Sequence, residues 1–227
     1  MIPAPMALPM ARITRTRRGG LLVVAWAAIA IAAALAERSR GIAHPADHAL
    51  LDTFGGVALP LLAYGVVGAA LGGDGLRRAG RALVSFGAEP WRVALGGIAV
   101  AAGATALLAA VIAATVAALA HGPLDPPLAR DVLTSAWVAS LGGVAYASLF
   151  ALGASFGKRG GGRTVVLALD WLLGSGTGIV ALGTPRAHVR SLLGGEAPAG
   201  LAVGTSFCLL IALAVAFAGL AIRRARR

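Results

Sequence analysis

Long apolar runs alternate with short polar segments six times along the 227-residue chain. The runs cover about 19–36, 53–73, 93–120, 132–157, 164–182 and 201–222. A helix rises 1.5 Å per residue, so roughly 20 apolar residues cross a hydrocarbon core of about 30 Å. The pattern therefore predicts an all-α integral membrane protein with six transmembrane helices. Pro60 is expected to kink the second span, and the Gly and Ala content of the third suits close helix contacts. The fifth run is interrupted by Asp170 and by Gly174-Ser175-Gly176-Thr177-Gly178. Such a glycine run either unwinds a span or lets helices approach closely.

The polar segments carry their own signals. His44 before Pro45 is a helix-start pair. Residues 121–131, HGPLDPPLARD, form a proline-rich turn. Between the second and third spans lies 74–92. Read as one helix, it places Leu76, Ala79, Leu83 and Phe86 on one face and Arg77, Arg78, Arg81 and Ser85 on the other, with Gly87 and Pro90 ending it. A short basic amphipathic helix between two spans is expected to lie at the cytoplasmic surface. Residues 1–18 and 223–227 read as basic tails around a membrane domain at 19–222, the first starting in a disordered, proline-containing stretch. Ala34-Leu35-Ala36 ends the first run as a signal-peptide cleavage site would, and Arg17-Arg18 precedes it. A retained first span is the expectation, because everything downstream is membrane-embedded too.

Composition supports the membrane reading: 58 % of residues are hydrophobic and 13 % are charged. A net charge of +11 would suggest nucleic acid in a soluble protein. Here the basic residues flank apolar runs, so topology and anionic lipid account for them and no nucleic-acid partner is expected. Fifteen of the 20 Lys and Arg residues fall in 1–18, 74–92, 158–163 and 223–227. The other connections hold Arg38, Arg40, Arg130, Arg186 and Arg190, together with six of the nine acids. The positive-inside rule then puts both termini in the cytoplasm.

Candidate chemistry is sparse. His44, Asp47, His48 and Asp52 recur at helical spacing and are the residue types that would ligate a divalent metal. Water-facing polar residues at an outer helix start are the favoured reading, since His44 is the cap itself, and no metal or cofactor is expected in this chain. Asp170 in a span is a functional-site candidate by default, and with Gly174, Gly176 and Gly178 it marks a possible translocation pathway. Gly153-Ala154-Ser155-Phe156-Gly157-Lys158 is one residue short of a phosphate loop and is followed by Arg159. Ser155 lacks the spacing of a nucleophile elbow and has no histidine within a predicted span as its base. We read no catalytic residue, so the chain is not expected to be an enzyme. Cys208 is a lone thiol in an apolar run.

The layout resembles the permease subunits of type-2 ABC exporters. The resemblance is carried by Arg81-Ala82-Leu83-Val84-Ser85-Phe86-Gly87-Ala88-Glu89-Pro90-Trp91-Arg92-Val93 with Gly96, by the Lys158-Arg159-Gly160-Gly161 loop and by Thr184-Pro185. It implies a multi-pass protein of a bacterial-type inner membrane. Its partners would be a separate ABC ATPase subunit, a second permease copy or paralogue, and lipid. It implies that Leu76, Arg77, Arg78, Arg81, Leu83, Phe86, Glu89, Pro90 and Arg92 couple the ATPase to transport, and that an interfacial helix is squeezed into 1–18. The alternatives are a six-span scaffold or assembly protein without transport, and a metal-handling membrane protein using the His44/His48 cluster.

Overall fold

The computed structural model describes residues 4–72, 75–157 and 160–226. Asp74, the first residue of the 74–92 connection, and Lys158 and Arg159 lie outside them. The described residues are 82 % helical without a strand. Among the described residues, five helices are long and apolar enough to cross a membrane: 19–39, 45–70, 90–120, 128–154 and 203–226.

Helix α1 (Ala4–Arg15) occupies the stretch expected to be disordered. It is held by packing: it lies across the third-span helix, α7 (Pro90–Ala120), where a Cβ at Gly96 would come within 2.8 Å of the Pro5 carbonyl. Only a residue without a side chain lets the two backbones meet so closely. After α2 (Arg17–Ser39), His44 and Pro45 start the next rod at N-cap and N1, as their pairing predicts. This rod begins eight residues before the apolar run does. It comprises α3 (Pro45–His48), a ten-residue π-helical segment (Ala49–Ala58) and α4 (Leu59–Ala70). Pro60 lacks an N–H and its ring would strike the carbonyl four residues back. The wider π turn, with Leu59 N–H reaching Phe54 O, is the form this helix takes just before that proline.

Helices α7 and α8 (Leu128–Ala154) make the most extensive contact in the molecule. At their crossing a Cβ on Gly143 would lie 3.1 Å from the Ala106 backbone. About two thirds of the apolar stretch of α8 is buried against 11 % of that of α2, so α8 is the central helix and α2 a peripheral one.

The apolar run at 164–182 does not form one long helix. Helix α9 (Gly162–Leu173) ends after twelve residues, about 18 Å. A turn through 174–178 follows, then a 3-10 segment (Ile179–Gly183) and α10 (Pro185–Leu192). The glycines end α9: a Cβ on Gly174 would sit 2.6–2.8 Å from Asp170 O, Arg186 Cβ and Thr184 Oγ1. Helix α11 (Val203–Arg226) completes the chain.

The expected amphipathic helix over 76–86 is also broken. It is α5 (Leu76–Ala79) and α6 (Arg81–Ser85), separated at Gly80. Leu76 and Ala79 are buried, Leu83 is half-buried and Phe86 is exposed, so the four do not form one buried stripe.

Candidate functional site

Three polar constellations stand out, one at each end of the bundle and one within it.

The first is the 75–92 connection. Its first half is fastened down. Arg77 Nε and Nη2 donate to Arg224 O in the last turn of α11, at 3.1 and 2.7 Å. Arg12 Nη1 of α1 donates to Ala79 O at 3.2 Å. Both acceptors lie near helix C-termini, where carbonyls lack intrahelical partners and cations are favoured. The second half projects. Helix α6 closes in a Schellman motif: Gly87 N–H bonds Val84 O and Ala88 N–H bonds Leu83 O, each at 3.0 Å. Gly87 takes φ +89°, which an L side chain rarely adopts. The motif leaves the Phe86 ring 89 % exposed. Helix α7 then starts with Glu89 at N-cap and Pro90 at N1, and Arg92 Nε meets Glu89 at 2.7 Å. Arg77, Arg78, Arg81 and Arg224 line a cleft of about 340 Å³ whose opposite wall is Ala154, Ser155 and Gly157. Arg224 also stacks on Phe156, 3.9 Å from the ring centre.

The second constellation surrounds Asp170, which is 2 % exposed. Tyr146 Oη of α8 donates to Oδ2 at 3.0 Å, and Arg186 N–H at the start of α10 donates to Oδ1 at 3.3 Å. The acid therefore caps α10 from another helix, satisfying one of the free N–H groups of its first turn. The Arg186 guanidinium extends toward the π-helical segment, 3.3 Å from a Cβ built on Gly56. Nearby, fully buried His188 has Nε2 2.9 Å from Leu182 O. Gly174 is buried against this node, whereas Gly176 and Gly178 are exposed. Tyr146 and His188 were not picked out from the sequence. Tyr146 sits in an apolar run like any core aromatic, and His188 lies in a connection that reads as polar.

The third lies at the end of the bundle opposite the connection. His44, Asp47, His48 and Asp52 do not come together. His48 and Asp52 pair with each other at 3.8 Å, with side chains 59 % and 73 % exposed. His44 and Asp47 instead join Asp125, while His121, Asp125 and Asp131 converge beside them. The 121–131 segment reads as a breaker from its prolines. Its His and two Asp residues are the signal that was available and unused.

No protein-family model, no curated protein and no solved structure matches this chain. Function is therefore argued from these three sites.

Proposed function

We propose that the chain is the permease subunit of an ATP-driven exporter, with six membrane crossings, both termini cytoplasmic, and an ATPase partner that docks on residues 75–92. The observation carrying this reading is the connection itself. A closed helix cap leaves an aromatic ring exposed, on the same connection that supplies three of the four arginines of the cleft. A partner with an apolar cleft and an acidic rim fits such a surface. Arg77 and Arg12 tie α5 to α11 and α1, so a push on α6 reaches two further helices. Leu83 lies in the groove beneath α1, with Pro5 and Leu8. It belongs to the packing of the connection rather than to its docking tip.

Six crossings are supported by the ends of the helices. Gly75 approaches Ala154 O and Arg77 bonds Arg224 O, so α8 and α11 both finish at the basic end. The chain between them must enter the bundle and come out on the other side before α11 returns. In this reading α9 and the broken segment after it make the fifth crossing, and two copies meet along the exposed surface of Leu172, Ile179 and Val180 to enclose the pathway.

A non-transporting scaffold is favoured by one observation: both Asp170 oxygens are engaged and the residue is sealed from solvent. Affinity purification from the native membrane separates the two. The permease reading expects a nucleotide-binding chain in stoichiometric amount and ATP hydrolysis in the complex. A stable, functional assembly without such a chain ends it.

A further inference from the structure

Three carboxylates and two imidazoles from separate segments meet at the end opposite the connection. His44 and Asp47 come from the start of α3, His121 and Asp125 from the turn after α7, and Asp131 from the first turn of α8. Ligand atoms of His121, Asp125 and Asp131 all lie within 4.8 Å of one another, as do those of His44, Asp47 and Asp125. Asp125 belongs to both groups, and its side chain is 1 % exposed. Its Oδ1 is 3.1 Å from His44 Nδ1, and its Oδ2 accepts Gly122 N–H at 2.8 Å.

Two buried atoms in this cluster have no hydrogen-bond partner among the described residues: Asp131 Oδ2 and His121 Nδ1. Asp131 is 9 % exposed. The two atoms face each other at 3.8 Å. That is too long for a hydrogen bond. It is close to the separation of two ligands on one cation, roughly 3.4 Å for bonds of about 2.1 Å at a tetrahedral angle. Among the described residues, the ion-pair partners of Asp125 and Asp131 within 4 Å are His44 and His121 alone. Arg130 borders the adjoining groove with Asp47 and Asp131 but forms no such pair. A buried acid normally finds a partner or a metal.

We propose that His121 Nδ1, Asp131 Oδ2 and a carboxylate oxygen of Asp125 bind one divalent transition-metal ion of the zinc class. Mixed imidazole and carboxylate donors suit such an ion, and the thiolates that would select copper(I) or an iron–sulfur cluster are absent from the set. His44 is the outer partner that orients Asp125, as a second hydrogen-bonding group commonly does for a ligand. Asp47 adds negative charge beside it. The ion would fasten the proline-rich turn to the starts of α8 and α3, staging three helices at one end of the bundle. The donor set differs from the four residues whose helical spacing suggested metal, since His48 and Asp52 pair outside it.

The test uses the full chain in detergent, purified without a polyhistidine tag, stripped with a chelator and titrated with ZnCl₂. Bound zinc is measured by elemental analysis after desalting, and thermal unfolding is followed in parallel. The expected result is one zinc per chain and a raised Tm. His121→Ala and Asp131→Asn should each weaken binding at least about tenfold, and His48→Ala should leave it unchanged. A wild-type chain that retains no zinc overturns the proposal without recourse to either variant. So do His121→Ala and Asp131→Asn chains that elute as folded protein and bind zinc as the wild type does.

Discussion

At the basic end of the bundle, arginines bond backbone carbonyls and an aromatic ring stands in the open. At the opposite end, carboxylates are folded beneath a proline-rich turn among histidines. Helix direction explains part of the contrast. The basic end receives the C-termini of α5 and α11, whose free carbonyls accept Arg12 and Arg77. The opposite end receives the N-termini of α3 and α8, each with an aspartate in its first turn, where the dipole favours anions. Exposure explains the rest. Arg77, Arg78 and Arg81 remain exposed, while the Asp125 and Asp131 carboxyls are largely buried and depend on what lies beside them. In the proposed reading the basic end meets an ATPase partner, while the opposite end folds its carboxylates inward.

The largest expected effect tests the meeting surface. If the chain is the proposed permease, Phe86→Asp should abolish coupled transport while changing stability by less than about 0.5 kcal/mol, because the ring contacts little of its own chain. Transport in vesicles and thermal unfolding of the purified chain read the two quantities. Unchanged transport would make the connection a lipid anchor and erase the contrast between the ends.

Asp170 tests whether buried acids here are structural. Asp170→Ala leaves the Tyr146 hydroxyl and the Arg186 N–H unpaired in the interior. The loss should be about 3 kcal/mol, on the usual cost of buried unsatisfied groups. Tyr146→Phe, which removes one hydrogen bond, should cost about 1 kcal/mol. If Asp170→Ala unfolds like wild type yet stops transport, the acid belongs to the pathway instead.

Gly87→Val should destabilise by about 1–2 kcal/mol, since a β-branched residue resists φ +89°, and should loosen the cap that presents Phe86. Partial loss of transport with faster proteolysis at 83–90 is the expected signature. The smallest effect is that of Arg77→Ala. Two exposed hydrogen bonds to Arg224 O are lost, at about 1 kcal/mol or less; in the proposed complex, hydrolysis by the ATPase partner should persist while its link to transport weakens.

Apolar run length was enough to find five of the long helices, and charge placement was enough to gather the basic segments at one end. The breaks were harder to read. Gly80 and Gly174 were visible as residues, but whether a glycine ends a helix depends on what presses against it. For Gly174 that is Thr184 and Arg186; for Gly80 it is Val93. The start of 1–18 read as disordered from its prolines, and only the resemblance implied a helix there, because the order of this stretch comes from packing such as that at Gly96 of another helix. At the candidate sites, Phe86 was legible as an apolar residue in a basic connection, though its exposure was not. His121 and Asp131 were passed over because a turn's prolines say where it bends and not which side chains it folds inward.

The sequence by itself determined the apolar runs, the caps at His44-Pro45 and Glu89-Pro90, and the sorting of arginines to one side. These are local properties: the length of a run, the identity of a cap and the sign of a flank act within a few residues. Only the tertiary structure decided which polar groups meet. Tyr146 reaches Asp170 across 24 residues, and His44 reaches Asp125 across 81. Periodicity carries no record of such pairs, because they form only when packing brings distant segments together and buries at least one polar partner beside the other.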